Sequence, residues 1–203
     1  MITHKIFPTY VGEFDLSTKI DTKLLWNEIK DLKMEQHPLL TGTAVSTYFP
    51  GNDHLLDIDV PLVKKLKQYI QEAIDEYVKE SGLINCQLTN SWLSVMNNET
   101  ELLPHRHEAS VISGAYYPFV PQGSVGLTVM NPLKPYRMCE VNERTTEYTA
   151  VDGTFPVKEG LLIIFPSWLE HKSDQNETNG RAVISFNTTN NAVNGNYKQT
   201  RMI

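Results

Sequence analysis

Two histidines one residue apart stand in the stretch PHRHEASVISGAYY, residues 104 to 117, and their type and spacing suggest metal chemistry. In an extended chain, residues i and i+2 project from the same face. His105 and His107 can therefore offer two imidazoles to one ion, with a third ligand drawn from elsewhere. An HxH pair beside a proline is also an ordinary surface feature, so the rest of the chain has to decide. The segment EGLLIIFPSWLEHKSDQNETNGRAVISFN carries the third histidine, His171, after an apolar run and the turn at Pro166. Ten residues later Arg181 opens RAVISFN. Alone, His171 reads as a turn residue and Arg181 as a salt-bridged strand end. Together they put a histidine at the end of one strand and a cation at the start of the next. By period two, Arg181, Val183, Ser185 and Asn187 share a face, and Ala182, Ile184 and Phe186 share the other. The first face suits an anionic ligand beside a metal; the second can pack on other structure.

These residues need elements to hold them, and the chain changes character at Gly82. Before it, Ser17 can cap a segment in which Ile20, Leu24, Leu25, Ile29 and Leu32 recur at helical spacing, which predicts a helix over 17–33. Asp59 and Pro61 precede a longer stripe through Leu66, Ile70, Ala73, Ile74, Tyr77 and Val78, which predicts a helix over 60–81 stopped by Gly82. Between them TGTAVSTYFPGND reads as a short strand and a turn. After Gly82 the helical period disappears. Strands are expected near 84–89, 91–96, 110–119, 125–130, 147–151, 161–166 and 181–189. Short strands bounded by turn residues suggest a sandwich or jelly roll. The expectation is one mainly β domain, 1–203, with a helical N-terminal elaboration over 1–83 and a β core over 84–189. The stretch PLKPYRMCEVNERT, 132–145, has little pattern and reads as a lid over a site. The tail NNAVNGNYKQTRMI reads as edge structure or a partly ordered terminus.

Taken together, the motifs from Trp92 to Asn187 resemble the iron(II)- and 2-oxoglutarate-dependent oxygenases. The nearest likeness is to a group with the order HxH, SGxYY, FPSWLxH and RxxxSFN. Here that order is His105-Arg106-His107, Ser113-Gly114-Ala115-Tyr116-Tyr117, Phe165 through His171, and Arg181 through Asn187. The resemblance implies a double-stranded β-helix, the cupin-like jelly roll, as the catalytic core. It also implies a non-haem iron hydroxylase that converts 2-oxoglutarate and O2 to succinate and CO2.

In most of that superfamily the metal is held by HxD or HxE and a distal histidine. His105 matches the first ligand and His171 the distal one, while His107 stands where a carboxylate is usual. Imidazole is a competent ligand for Fe(II), so the implied metal set is His105, His107 and His171. Glu108 points to the opposite face of a regular strand and reaches the ion only through a bulge. The far carboxylate of 2-oxoglutarate is paired with an arginine in this family, and Arg181 has the matching position and a planar fork suited to carboxylate. Either Tyr116 or Tyr117 adds a hydroxyl to the same carboxylate, or the pair is strand core. Ser185 and Asn187 complete the implied cosubstrate set. Three neutral histidines leave the iron at +2, which a dianionic cosubstrate neutralises.

Composition narrows the setting. A net charge of −6 argues against nucleic acid as a partner, leaving a small-molecule or peptide substrate. Lys134, Arg137 and Arg144 in the lid region suit an anionic or peptide one. Cys86 and Cys139 are far apart with no CxxC pair, as in a reduced compartment. The N-terminus has no apolar signal region, and the longest apolar run, Leu161 to Phe165, is far too short to span a bilayer. A soluble, cytoplasmic protein is expected. Two other readings stay open. A cupin-type three-histidine metal dioxygenase or isomerase needs no 2-oxoglutarate, but it leaves Arg181 without a task and lacks the later cupin carboxylate. A non-catalytic jelly-roll binding module is favoured by the missing carboxylate ligand. A serine or cysteine hydrolase is set aside, since there is no GxSxG and neither cysteine has a nearby basic partner.

Overall fold

The short runs after Gly82 pair into two antiparallel sheets, in a computed structural model that describes residues 1–190 apart from 3, 5 and 138. The larger sheet has the order β1 (Gly12–Asp15), β8 (Leu161–Pro166), β5 (Ile112–Phe119), β10 (Arg181–Asn190), β3 (Cys86–Met96) and β2 (Val45–Ser46). The smaller has the order β4 (Leu102–His105), β9 (His171–Ser173), β6 (Leu127–Met130) and β7 (Asp152–Phe155). This is the double-stranded β-helix expected, with two helices, α1 (Thr22–Ile29) and α2 (Pro61–Ser81), added outside it. Among the described residues no helix is long and apolar enough to cross a membrane.

The larger sheet is buried on both faces, which explains its unbroken apolar runs. Leu162, Ile164, Ile112, Tyr116, Ala182, Ile184 and Phe186 pack against the helices, which contribute Leu25, Ile29, Val63, Leu66, Ile70 and Ile74. Leu161, Ile163, Phe165, Ala115, Tyr117 and Val183 face the smaller sheet, which contributes Leu127. Full burial of each large side chain stabilises by roughly 1.5–3 kcal/mol. Gly114 is required where the neighbouring strands β10 and β8 crowd β5. A Cβ there would sit 2.3 Å from the Phe186 ring and 2.9 Å from the Ile163 carbonyl oxygen.

The alternation also separates the tyrosine pair. Tyr116 turns to the helix-side core, where its hydroxyl is buried without a hydrogen-bond partner. An orphaned buried hydroxyl is destabilising. Tyr116→Phe should therefore stabilise the fold by about 1 kcal/mol, read as a higher urea midpoint; a loss of stability would mean that the hydroxyl has a partner.

Several expectations change in the structure. The first helix is shorter than 17–33, because Asp21, not Ser17, caps it by accepting from the Leu24 amide at 3.0 Å. Residues before it form a turn tied to the sheet by Leu16 N–H donating to Gly160 O. The second helix runs as expected and closes on Gly82 at φ 71°. The runs 84–89 and 91–96 are one strand, β3. No strand forms at 147–151. The Thr146 amide donates to the Thr149 hydroxyl at 2.8 Å, and Ala150 N–H donates to Thr146 O, which closes a turn there. Strand β7 follows instead.

Strands β1, β4 and β9 were not expected, and two of them carry site histidines. The N-terminal 83 residues also do more than add helices. They place β1 and β2 at the two edges of the larger sheet. Isolated bridges join Glu35 to Ser46 and Leu40 to Leu102, so residues 35–47 run from the edge of one sheet to the edge of the other. The loop 131–151 hangs from β6 and β7, closed at its base by Asn131 N–H donating to Val151 O at 2.9 Å. The tail from 191 lies outside the described residues.

Candidate metal centre

Strands β4 and β9 are neighbours, with His105 directly opposite His171. The period-two argument for the HxH pair needs correcting. Strand β4 ends at His105, and His107 lies two residues beyond it, just before a turn at Glu108 and Ala109, tied down by its N–H donating to Ser167 O at 2.9 Å. This backbone tie beyond the strand, not a shared strand face, brings the third ring in. Ring centroids are 4.3 Å apart for His105 and His171, and 5.1 Å for His107 to either. One nitrogen from each ring lies within 4.8 Å of the other two, close enough to share an ion. Glu108 is exposed and no carboxylate joins this cluster.

Hydrogen bonding fixes what these rings present. His105 Nδ1 lies 2.9 Å from Leu103 O, and His171 Nδ1 lies 2.9 Å from Leu169 O. His107 Nδ1 lies against Asn187 Oδ1. All three partners are oxygens that only accept, so each Nδ1 carries the proton and each Nε2 lone pair is free. Such outer partners orient metal-bound imidazoles. The His107 partner is itself held, since Ser113 Oγ lies 2.7 Å from both Asn187 Oδ1 and Ser167 Oγ, and Ser167 donates to Ser110 at 2.8 Å. The donor set thus suits a divalent metal.

Burial lowers the pKa of His105 and His107, and pushes His171 down to about 3, with the other two rings adding to the effect at His171. The rings are neutral at pH 7, as metal binding requires. Folded values below the unfolded one mean that the unfolded chain binds more protons. Stability is then present above about pH 6.5 and lost as pH falls towards 3. Metal-free protein should therefore be about 2 kcal/mol less stable at pH 5 than at pH 7 from His171 alone. Urea titrations with a chelator present would show it; an unchanged midpoint would contradict neutral burial.

Arg181 lines the same cavity as the triad and is 1% exposed. Its guanidinium lies over the Tyr117 ring at 5.3 Å from the centroid. One terminal nitrogen donates to Met96 Sδ at 2.8 Å and the other to Ser173 Oγ at 3.3 Å, while Nε has no partner. Among the described residues no carboxylate pairs with it. Burial lowers its pKa, opposed by Tyr117. A buried cation without an anion is strongly unfavourable.

Of the other implied cosubstrate residues, Tyr117 and Ser185 line the cavity with Arg181. Tyr116 faces the helices, and Asn187 holds His107. Sequence reading missed the supporting residues Met96, Ser173, Ser113 and Ser167. Only the SG motif hinted at Ser113. It also gave no task to His37 or Trp92, which line the cavity.

A protein-family profile described as "Putative 2OG-Fe(II) oxygenase" matches residues 90–187, the span that holds all three histidines of the triad and Arg181. Across that span, just under half of the chain, it resembles the Fe(II)/2-oxoglutarate oxygenases. No curated protein matches the chain in sequence. Solved structures share its fold at low identity. A viral collagen prolyl hydroxylase from Paramecium Bursaria Chlorella virus-1 has a TM-score of 0.56 and 14% identity, over 88% of this chain and 95% of that one. HygX from Streptomyces hygroscopicus, solved with nickel, 2-oxoglutarate and hygromycin B, has 0.60 and 10%, over 90% and 84%. The 2-oxoglutarate-dependent epimerase SnoN from nogalamycin biosynthesis has 0.62 and 11%, over 90% and 79%.

Proposed function

We propose that this chain is a three-histidine iron oxygenase that uses 2-oxoglutarate and hydroxylates a small molecule or peptide. The observation that carries the reading is the buried, unpaired Arg181 guanidinium in the cavity of the triad. Its fork suits the distal carboxylate of a diacid, with Tyr117 beneath it and Ser173 beside it. His105, His107 and His171 would hold the metal through Nε2. Bound there, Fe(II) and 2-oxoglutarate supply the oxidation of a C–H bond to C–OH by O2, with 2-oxoglutarate leaving as succinate and CO2. The chain's own part is to bind, orient and shield. Leu103, Leu169 and Asn187 keep the three imidazole protons on Nδ1, and Phe165, 4.6 Å from His171, helps to exclude water.

The donor set favours a second reading. Three histidines without a carboxylate also serve a cupin-type metal dioxygenase or isomerase that needs no 2-oxoglutarate. The geometry and the comparisons support the triad itself more directly than any cosubstrate. What this reading leaves unexplained is Arg181. One experiment separates the two. Iron-loaded protein is titrated anaerobically with 2-oxoglutarate, following the metal-to-ligand absorption band, and succinate is then measured with Fe(II), ascorbate and O2. The expected result is a saturable band and succinate formation. Iron binding without a band would favour the cupin-type reading. Failure to bind iron at all would favour a non-catalytic module.

A further inference from the structure

The cavity has two unlike ends along the ladder of β3 and β10. Met96 lies opposite Arg181 and belongs to the anion end. Four residues back along β3, Trp92 lies opposite Ser185, about 13 Å away at the rise of a strand. The Trp92 ring is 6.0 Å from His107 and 4.8 Å from Tyr48, whose ring is in turn 4.9 Å from His37.

His37 comes from the segment that bridges the two sheets, and is 8% exposed. Its Nδ1 accepts the Leu39 amide proton at 3.1 Å, so its own proton sits on Nε2. Neither that N–H nor the Trp92 indole N–H has a hydrogen-bond partner among the described residues. Both groups only donate, so they select an acceptor. No acidic side chain lines the cavity, so nothing there offsets a cationic group beside a divalent metal. The flat ring of Trp92, which lines the cavity with His37, suits a planar or ring-bearing group.

We propose that this aromatic end is the primary-substrate subsite, where His37 Nε2–H donates to an acceptor oxygen on an uncharged, ring-bearing group such as an aromatic amide. The division of the cavity between two ligands rests on the 2-oxoglutarate reading; the recognition chemistry at this end does not.

Benzamide is the probe, titrated by ligand-observed NMR into full-length protein loaded with redox-inert Zn(II). Benzylamine, the same ring with an ammonium group, is the control. His37→Leu should weaken benzamide binding roughly tenfold, the effect of one lost hydrogen bond. His37→Gln keeps an N–H donor at the Nε2 position and should stay within about threefold of wild type. Benzylamine should bind at least about tenfold more weakly than benzamide. 2-Oxoglutarate, titrated in parallel, should bind His37→Leu as tightly as wild type, which shows the variant is folded. The proposal is overturned if wild type does not take up benzamide, if His37→Leu binds it equally well, or if benzylamine binds as tightly. If wild type binds benzamide in a His37-dependent way but not 2-oxoglutarate, the cosubstrate reading fails and the subsite stands.

Discussion

Arg181→Ala is expected to weaken 2-oxoglutarate binding by about two to three and a half orders of magnitude, about 3–5 kcal/mol, while iron binding survives. The size follows from burial. Arg181 is 1% exposed, so a carboxylate bound to it loses its charge partner in a buried setting. Ser173 and the Tyr117 ring remain in the variant, but neither can neutralise an anion. Arg181→Lys should fall between, because it keeps the charge and loses the planar fork. Its shorter reach also gives up the contact with Met96 Sδ or with Ser173. Anaerobic titration of iron-loaded protein reads both variants. Equal affinity in wild type and Arg181→Ala would remove Arg181 as the anchor, and with it the main reason to prefer a 2-oxoglutarate enzyme to a cupin-type one.

The second large effect is expected at Asn187, which does not touch the metal itself. His105 and His171 give their Nδ1 protons to backbone carbonyls, which no substitution removes. His107 gives its proton to a side chain, so its tautomer and orientation depend on one replaceable residue. Asn187→Leu should reduce metal affinity roughly 10–100-fold. Asn187→Asp keeps an accepting oxygen and should restore most of it. Isothermal titration with Co(II), together with the Co(II) ligand-field spectrum, separates loss of a ligand from general destabilisation. A Leu variant with wild-type affinity and spectrum would show that His107 is not a ligand, and the site would then hold its ion through His105 and His171 alone.

Much of this was legible in the chain. The faces of β10 follow from period two, because neighbouring side chains in a strand must point opposite ways. Arg181, Val183 and Ser185 do line the cavity while Ala182, Ile184 and Phe186 pack beneath the helices. The helix over 61–81 was equally plain, since its apolar stripe and its glycine stop are local signals. The turn at 146–150 was not, because threonine hydroxyls captured backbone groups that a strand would have used.

What the sequence determined by itself was the alternation that aims Arg181 inward, the three histidines as a candidate ligand set, and the break at Gly82. Each rests on residue type and near-neighbour spacing, where sterics act within one element. Tertiary structure alone decided the rest. It turned Tyr117 to the cavity and Tyr116 to the helix-side core through the strand's placement between two cores. It brought His107 in by a backbone tie to Ser167 beyond the strand rather than by a shared strand face, assigned Asn187 to hold that ring, and carried His37 to the cavity on a segment that bridges both sheet edges. These contacts join residues up to 80 positions apart, and no local rule reaches so far. They exist because the sheets, in burying their apolar faces on each other, fix where every inward side chain meets its neighbours.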